Sequence, residues 1–481
     1  MTTSTSVTTN AQTLNQSSII NSAIASIIAE LTEAQTTMTA ARPATEELKE
    51  SYENCLTRFG EMRGRGALYP YVGSGLGNGP LVELADGSVK WDMINGIGVH
   101  MFGHSDPDII ETSIRAAMSD TVMQGNLQFN EEVVKFGEIL LSEASNATKL
   151  KHCFLTNSGT MANESALKVC FQKRPGSSRV LAFADCFMGR SMTMSQIGDS
   201  AANRQGLPLN TLVDYMPFYD PEHGEKSTEY AVNRLQRYID RYPDQYSCFV
   251  MELVQGEGGF NVAPREYFIP LMELCKENGI AVWIDEIQTF GRTNEMYHTA
   301  ELDLGKYVDV LTLGKMSQVC ACLFTEDFNP KPGLLSGTFV GSTIGLSVGT
   351  RILERLRDGG YYGPNGIIAK LYKAFCERAE ALVKRQPDWF PQIPHPSGLT
   401  RVATGFYGGV GGMMRITPFA GDKTKIISAL HTMFQDGVIA FYCGHEPYHI
   451  RFLPPVGVMQ PEQFDDVFMI LESSLAKAAS S

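Results

Sequence analysis

The chain has 481 residues and a formal net charge of −13. Hydrophobic residues make up 43% of it and charged residues 19%, which are ordinary proportions for a protein with a large buried core. The acidic balance argues against general binding of nucleic acid or of anionic membranes.

Three features of the sequence bear on its location. No run of about 18 apolar residues predicts a transmembrane helix, and the N-terminus lacks the basic and then apolar pattern of a secretory signal. Residues 1–20 are rich in Ser, Thr and Asn and are predicted to form a disordered tail. The ten cysteines are scattered through apolar runs, which favours reduced thiols and a cytoplasmic protein.

The N-terminal hundred residues predict helices and then short strands. Amphipathic helices are expected over 18–34 and 45–63. The glycine-rich stretch 73–79 is predicted to be a loop, because it lacks the following helix that a dinucleotide-binding fingerprint requires. Short strands then turn at Asp86-Gly87.

From Asp106 to about Leu356, short apolar strands alternate with helices. The predicted strands are 152–157, 179–184, 248–253, 281–286 and 309–314, and the helices between them include 160–173 and 265–279. Continuous apolar strands separated by helices indicate an α/β fold with a mostly parallel sheet covered on both faces. In such folds ligands bind at the carboxyl ends of the strands.

These patterns predict four parts of the chain. They are a tail (1–20), N-terminal helices that pack with a small domain (21–100), a large α/β domain (101–356) and a smaller C-terminal α+β domain (357–481). The last is predicted from a helix over 365–385, strands near 411–419 and 449–456, and a final helix.

Three polar groups follow predicted strands of the central region. Ser158, Gly159 and Thr160 precede a helix, where backbone N–H groups bind phosphate, although such a triplet is also a plain N-cap. Asp285 ends an apolar strand, where a carboxylate is costly unless a cation or a capping role compensates. Lys315 follows a strand and a glycine, either as a surface residue or as an amine whose pKa is lowered in a dry site.

Together these groups match the needs of one cofactor, pyridoxal 5′-phosphate. A lysine forms an imine with its aldehyde, and an aspartate keeps its pyridine nitrogen protonated so that the ring can accept carbanion electrons. The cation expected to face Asp285 is therefore the pyridinium nitrogen. Alternation of side chains along a strand directs the adjacent Glu286 away from it.

From about Pro70 to the C-terminus the sequence resembles the class III (ω-amino-acid) aminotransferases of fold type I. The resemblance is carried by five segments in the expected order: DGSVKWDMINGIGVHMFGHSDP, FLTNSGTMANESALK, ELVQGEGGF, VWIDEIQTFGRT and LTLGK. It implies a large domain with a mostly parallel sheet flanked by helices, a smaller α+β domain and bound pyridoxal phosphate.

The resemblance assigns the cofactor contacts. Lys315 is implied to be the Schiff-base lysine and the acid/base, and Asp285 to pair with the pyridinium nitrogen. Gln288 is implied to bond the ring hydroxyl, and Phe187 to stack on the pyridine face. Ser158, Gly159 and Thr160 are implied to hold the phosphate. No metal site is implied.

The resemblance also assigns the substrate contacts and the assembly. Thr338 is implied to reach the phosphate bound by a neighbouring subunit, which predicts a homodimer with shared active sites. Arg190 is implied to hold a substrate α-carboxylate. Glu257 and Arg451 are implied to form a pair that opens, so that one site accepts first an ω-amine and then a dicarboxylate such as 2-oxoglutarate. Arg451 also has a simpler interpretation as part of a structural ion pair.

The sequence departs from the family pattern at several positions. Met188 stands where a histidine is usual, MSQVCACLF replaces the small glycine-rich run after the lysine, and VGST replaces Gly-Gly-Asn-Pro after Thr338. The segments around Lys315 and 342–356 are similar to the lysine ε-aminotransferase branch. The segment Ile97-Gly98-Val99 has no tyrosine where ornithine aminotransferases have one. These features favour lysine or a related diamino acid as the donor.

Other interpretations stay open at this point. The same fold could serve an aminomutase, a 4-aminobutyrate-type transaminase or a non-catalytic homologue that acts as a binding protein. The HEPYH segment (445–449) matches the HExxH zinc pattern, but Pro447 and the strand predicted after it oppose the helix that this chemistry needs.

Overall fold

The structure is a computed structural model that describes residues 8–120, 123–125, 127–392 and 405–480. Within this part of the chain no helix is both long and apolar enough to cross a membrane. The α-helices are α1 (Asn10–Asn15), α2 (Ser18–Gln35), α3 (Lys49–Arg63), α4 (Asn95–Gly98), α5 (Pro107–Ala117), α6 (Glu131–Ser145), α7 (Gly159–Lys173), α8 (Met192–Ile197), α9 (Glu225–Arg241), α10 (Arg265–Glu277), α11 (His298–Glu301), α12 (Thr343–Asp358), α13 (Ile367–Arg385), α14 (Lys423–Asp436) and α15 (Phe464–Ser480).

The strands form one large sheet and several small ones. They are β1 (Gly73–Asn78), β2 (Leu81–Leu84), β3 (Val89–Asp92), β4 (Met123–Gln124), β5 (Leu150–Thr156), β6 (Arg179–Phe183), β7 (Leu212–Met216), β8 (Tyr246–Glu252), β9 (Val254–Gln255), β10 (Asn261–Val262), β11 (Ala281–Asp285), β12 (Val310–Leu313), β13 (Cys320–Thr325), β14 (Gly341–Ser342), β15 (Tyr407–Val410), β16 (Met413–Ile416), β17 (Val438–Ile439), β18 (Phe441–Cys443) and β19 (His449–Phe452).

The large sheet has seven strands in the order β5-β13-β12-β11-β8-β6-β7. Strands β12, β11, β8, β6 and β7 pair in parallel, whereas β13 is antiparallel to both of its neighbours. The mostly parallel α/β sheet is therefore confirmed. All five predicted strands are present, with bounds shifted by at most two residues.

Both faces of this sheet are buried. Successive side chains along a strand enter two different apolar clusters. Val282 and Ile284 of β11 pack in one apolar cluster, and Ala281 and Trp283 pack in another. Every residue of β8 and β11 is buried. This double burial explains why the strands are continuous apolar runs without polar alternation.

Two strands of the large sheet were not expected from the sequence. They are β7, at one edge, and β13, which lies between β5 and β12. The segment that contains β13 departs from the family pattern after Lys315, and its apolar Cys-Ala-Cys-Leu-Phe run is long enough for a strand buried on both faces.

Two predictions near the N-terminus are wrong. Residues 10–15 of the expected disordered tail form α1, which begins with a capping box between Thr9 and Gln12, and α2 begins at Ser18. The stretch 73–79, expected to be a loop, contains β1 paired with β2. A Cβ at Gly77 would lie 2.2 Å from the Cβ of His104, so glycine allows this close approach. Residues 1–7 of the expected tail lie outside the described residues.

The remaining strands form smaller sheets beside the large one. Strands β1, β2, β3 and β17 make one four-stranded sheet, which joins the N-terminal part of the chain to the C-terminal part. Strands β15, β16, β19 and β18 make a second one, and the long helices α13, α14 and α15 belong to the same part of the chain. The domain boundaries proposed from the sequence stay a prediction.

Candidate active site

A cavity of about 230 Å³ lies where the parallel strands of the large sheet end. Register places the ends of three strands side by side, since Asp285 of β11 pairs with Glu252 of β8 and with Thr312 of β12. The cavity is lined by Gly159, Thr160, Asn163, Phe187, Met188, Gly189, Glu252, Gly256, Glu257, Asp285, Ile287, Gln288 and Lys315. Seven residues proposed from the sequence thus meet at one site.

Lys315 follows β12 and begins a short 3₁₀ turn. Its φ of 58° lies in the left-handed region, which non-glycine residues rarely adopt and which is often found at functional positions. The pKa of Lys315 is lowered to about 8, first by burial and then by the charge of Arg451. The neutral, and hence nucleophilic, fraction of the amine near neutral pH is therefore far larger than for an ordinary lysine.

Asp285 is buried and receives one hydrogen bond on each carboxylate oxygen. The Ile287 N–H donates to Oδ1 at 2.8 Å, and the Asn163 side chain donates to Oδ2 at 2.8 Å. Burial raises the pKa of Asp285 to about 6, while these two hydrogen bonds and the charge of Lys315 act in the opposite direction. A cation placed in the cavity would favour the ionised form further.

Glu286, the next residue, lies on the other side of the strand end. Its carboxylate accepts hydrogen bonds from the backbone N–H groups of His298 and Thr299, at 2.9 and 2.8 Å. It is fully buried. Its role is to hold the chain after β11, in agreement with the expected alternation.

Ser158, Gly159 and Thr160 form the N-terminus of α7, a helix of 15 residues. The Ser158 hydroxyl caps the helix by accepting from the Met161 N–H at 3.3 Å. The N–H groups of Gly159 and Thr160 precede the first intrahelical acceptors and are oriented to bind an anion. A Cβ at Gly159 would lie 3.0 Å from the Ile287 side chain, so a larger residue would disturb this end of the cavity.

Gln288 and Phe187 line the cavity from different segments. Gln288 is buried, and its Nε2 has no hydrogen-bond partner among the described residues. A buried donor without a partner is costly, so an acceptor on a bound group is expected there. Phe187 is held through its backbone, because its N–H donates to the Glu252 carboxylate at 3.0 Å.

Glu257 and Arg451 form an ion pair beside this cavity, with 2.7 Å between Glu257 Oε1 and Arg451 Nη1. Arg451 lies on β19 and is fully buried. Its Nε and Nη2 have no hydrogen-bond partner within the described part of the chain. The guanidinium can therefore donate hydrogen bonds from Nε and Nη2 to a carboxylate without breaking an existing hydrogen bond of these two atoms.

Four of the proposed residues are not part of the cavity lining. Ser158 caps α7 and Arg451 pairs with Glu257 beside the cavity, whereas Arg190 and Thr338 occupy exposed positions. The Arg190 side chain is exposed, with its guanidinium carbon 5.6 Å from the centre of the Phe187 ring. Thr338 is also exposed. Neither position conflicts with the role expected for it, since Arg190 was expected to contact substrate and Thr338 the phosphate in a neighbouring subunit.

The HExxH segment does not form the zinc-protease arrangement. His449 lies on β19 and His445 precedes it in the connection from β18, so the two histidines do not share a helical face. The His449 ring bonds Thr417 at 2.7 Å, and His445 pairs with Asp185 at 2.9 Å. These contacts tie the connection to neighbouring segments.

Sequence reasoning missed two polar side chains of the cavity, those of Asn163 and Glu252. Asn163 is one turn into α7 and donates to Asp285. Glu252 ends β8 directly beside Asp285, and it accepts from the N–H groups of Phe187 and Gly256, at 3.0 and 3.1 Å. A carboxylate at the end of a fully buried strand was the available signal for Glu252, as it was for Asp285.

A sequence profile of the family described as Aminotransferase class-III matches residues 74–475. The chain belongs to this family. Enzymes of the class-III aminotransferase family use pyridoxal 5′-phosphate, and an ornithine aminotransferase of the same fold has been crystallised with that cofactor in partial occupancy.

Individual relatives share less than a third of their residues with this chain over the matched segments. An acetylornithine aminotransferase of Eremothecium gossypii is 31% identical over 287 residues, a match that covers 55% of this chain and 64% of the relative. This chain therefore spans less than two thirds of that relative's length. A probable 4-aminobutyrate aminotransferase of Bacillus subtilis is 28% identical over 420 residues, which cover 83% of this chain and 92% of the relative.

Solved structures share the fold over most of their length. An ornithine aminotransferase from Toxoplasma gondii has a TM-score of 0.74 at 20% identity and covers 89% of this chain and 96% of its own. A lysine aminotransferase from Mycobacterium tuberculosis has a TM-score of 0.74 at 21% identity, with 88% and 99% covered. These similarities establish fold type I for this class-III aminotransferase.

The residues present fit pyridoxal phosphate. The N-terminus of α7 offers N–H groups for a phosphate, Asp285 offers a buried carboxylate for a pyridinium nitrogen, and Gln288 Nε2 is a buried donor without a partner among the described residues. Lys315 supplies the amine at the same cavity. Each polar part of the cofactor has a matching group.

Glu252 gives the cofactor-free protein a testable pH dependence. Its pKa is raised to about 8, first by burial and then by the charge of Asp285. Between about pH 5 and 8 folded Glu252 keeps a proton that the unfolded chain has released, so the free energy of unfolding falls as pH rises. We expect Glu252→Gln to flatten this fall, as measured by denaturant unfolding at several pH values.

The exposed Glu277 provides the control, since Glu277→Gln should leave the slope of stability against pH unchanged. Equal slopes for wild type and Glu252→Gln would contradict the expectation. The slope is the useful readout because glutamine keeps one acceptor and loses the other, which alters stability at every pH.

Proposed function

We propose that this protein is a pyridoxal phosphate-dependent ω-aminotransferase. It moves the distal amino group of a diamino acid of the lysine, ornithine or acetylornithine type to 2-oxoglutarate, giving a semialdehyde and glutamate. The observation that carries the proposal is the Glu257–Arg451 ion pair at the cavity that contains Lys315.

This ion pair suits a site that binds two different substrates in turn. While an ω-amine is bound, Glu257 neutralises Arg451, and no buried cation repels the substrate ammonium. Once a dicarboxylate enters, its second carboxylate can replace Glu257 on Arg451, whose Nε and Nη2 have no partner among the described residues. Glu257 is about one-third exposed and has room to move.

The residues of this chain have distinct tasks in the reaction. Bound pyridoxal phosphate supplies an electron sink for the carbanion. Asp285 would hold the pyridine nitrogen in its protonated form, Gln288 would donate to the ring oxygen, and Phe187 would cover the ring face. The Lys315 amine would remove a proton from the amine-bearing carbon of the substrate and return it on the cofactor side.

The phosphate site extends the proposal to the assembly. Ser158, Gly159 and Thr160 would hold the phosphate from within the subunit. Thr338 is exposed and does not line its own cavity, which supports a homodimer in which it reaches the phosphate of the neighbouring subunit. All ten cysteines are free thiols, in keeping with the cytoplasmic location expected from the sequence.

Arg190 supports a donor with an α-carboxylate. Its exposed guanidinium beside Phe187 lies near the position proposed for the cofactor ring and could hold the carboxylate of a diamino acid. Donors of the 4-aminobutyrate type are the second candidate, because the relative from Bacillus subtilis that carries this name is matched over 92% of its length.

A donor screen tests the proposal in two separate half-reactions. Lysine, ornithine, acetylornithine and 4-aminobutyrate are each supplied to the cofactor-loaded protein, and conversion of the cofactor to its amine form is followed by absorption. Glutamate formed from 2-oxoglutarate reports the second half-reaction. If no donor converts the cofactor, or if no glutamate forms, the proposed function is wrong.

Arg451→Met should act mainly on the second half-reaction. We expect KM for 2-oxoglutarate to rise by roughly 100-fold, because a bidentate partner of the carboxylate is lost, while the donor half-reaction changes much less. Arg385→Met, which breaks an exposed pair with Glu472, is the control. Equal effects on both half-reactions would remove Arg451 from acceptor recognition.

A further inference from the structure

Asn163 occupies a position to which the sequence motifs assigned no role. It lies on α7 one turn after the phosphate site, is 2% exposed and lines the cavity. Its Nδ2 donates two hydrogen bonds, one to Asp285 Oδ2 at 2.8 Å and one to the Met188 backbone oxygen at 2.9 Å. A single amide group thus connects the carboxylate at the end of β11 with the segment that carries Phe187.

The orientation of this amide is fixed by its neighbours. Both partners of Nδ2, a carboxylate and a carbonyl, are acceptors, so a flipped amide would place its own oxygen against two oxygens. Asn163 Oδ1 is buried and has no partner among the described residues, so the hydrogen bonds made by Nδ2 determine the orientation.

The two hydrogen bonds act on different parts of the site. The bond to Asp285 stabilises its ionised form, because hydrogen bonds to a charged acceptor are stronger than those to a neutral one. The bond to Met188 O fixes the residue that follows Phe187, and Glu252 holds the Phe187 N–H from the other side. The side chain of Met188 itself has no N–H or O–H group to offer Asp285.

The residue type is suited to this role. An amide donates to Asp285 without bringing a charge, whereas lysine or arginine would form an ion pair that competes with a pyridinium nitrogen. An apolar residue would leave Asp285 with one fewer donor in a buried site that already contains Glu252. Only a neutral donor stabilises the carboxylate and keeps its charge available.

We propose that Asn163 is a positioning residue that keeps Asp285 ionised and aligned with the cofactor ring and fixes the Phe187 segment over that ring. The inference rests on the proposed function in one respect, the assignment of the pyridine nitrogen to Asp285. It concerns the protonation of the ring and the retention of the cofactor, and it does not depend on the identity of the donor.

Asn163→Leu and Asn163→Asp test the role without any substrate. Removing the donor in Asn163→Leu makes Asp285 more basic, so that it withdraws the proton from the ring nitrogen. A less positive ring makes the attached Lys315 nitrogen more basic. The pH midpoint of the visible absorption band of the bound cofactor should therefore rise by about half a unit to one unit.

Cofactor retention provides the second readout. We expect Asn163→Leu to lose cofactor roughly tenfold faster than wild type at every pH, which corresponds to the loss of one hydrogen bond to a charged group. In Asn163→Asp the new carboxyl can donate to Asp285 while protonated but repels it once ionised. Its retention should be close to wild type near pH 5.5 and much poorer near pH 8.5.

Two controls separate the possible outcomes. Asn278→Asp alters another amide, which donates to the Leu274 backbone oxygen at the end of α10, and should change neither readout. Asp285→Asn should shift the absorption midpoint and speed cofactor loss. If it does so while both Asn163 variants match wild type, the inference is overturned; if Asp285→Asn also has no effect, the proposed role of Asp285 fails first. Asn163→Ser replaces Asn163→Leu should the latter not fold.

Discussion

Lys315→Ala is expected to reduce kcat by at least about 10⁴-fold with the best amino donor. The variant would lose both the amine proposed to hold the cofactor covalently and the group proposed to move the proton at the substrate carbon, and each function is worth orders of magnitude. Borohydride reduction followed by mass spectrometry should show no cofactor attached to the variant, whereas wild type should carry it on the peptide that contains Lys315.

The exposed Lys306 is a suitable control, because it lies outside the cavity and its ammonium rests 4.7 Å from the centre of the Tyr307 ring. Lys306→Ala should keep wild-type activity and cofactor attachment. Attachment that persists in Lys315→Ala would show that another lysine carries the cofactor, and turnover that persists would exclude Lys315 as the acid/base.

Asp285→Asn is expected to reduce kcat by about 10³-fold. An amide cannot hold a pyridinium proton, so the ring would become a poor electron sink in a buried site where electrostatic effects are large. Burial raises the pKa of Asp285 to about 6 in the absence of a ligand, and a pyridinium cation beside it would lower that pKa. Activity of wild type should fall as the pH drops below this lowered pKa, whereas the variant should be uniformly slow.

Asp303→Asn provides the matched control, since Asp303 forms an exposed pair with Arg265 and asparagine tolerates its positive φ of 47°. It should leave the rate and the pH profile unchanged. A pH profile of Asp285→Asn that keeps the acid-side fall would assign that fall to another group.

The sequence predicted the central sheet because its strands are buried on both faces. Continuous apolar runs such as 281–286 and 309–314 have no other simple explanation between helices. Strand β7 was missed because Asp214 and Tyr215 interrupt its apolar character. Strand β13 was missed because it has no turn signal before it and follows Lys315 after only four residues.

Site residues could be predicted from the sequence where a charged side chain stands at a position that is usually apolar. A lysine and an aspartate at the ends of apolar strands require explanation from sequence alone. Asn163 requires none, because a polar residue within a helix is ordinary until the structure shows which side of the helix is buried. Its role depends on contacts with Asp285 and Met188, 122 and 25 residues away, which no local pattern encodes.

The antiparallel strand β13 has a mechanical consequence for Lys315. Leu313 of β12 pairs with Ala321 of β13, so the connection that contains the lysine is closed at its base by the hydrogen-bonded ladder between these two strands. The main chain at Lys315 is therefore fixed before any ligand arrives. To move a proton as proposed, the Lys315 amine would need changes only in the torsions of its flexible side chain. The part proposed to move is four methylene groups long, and it is attached to a main chain that the sheet holds in place.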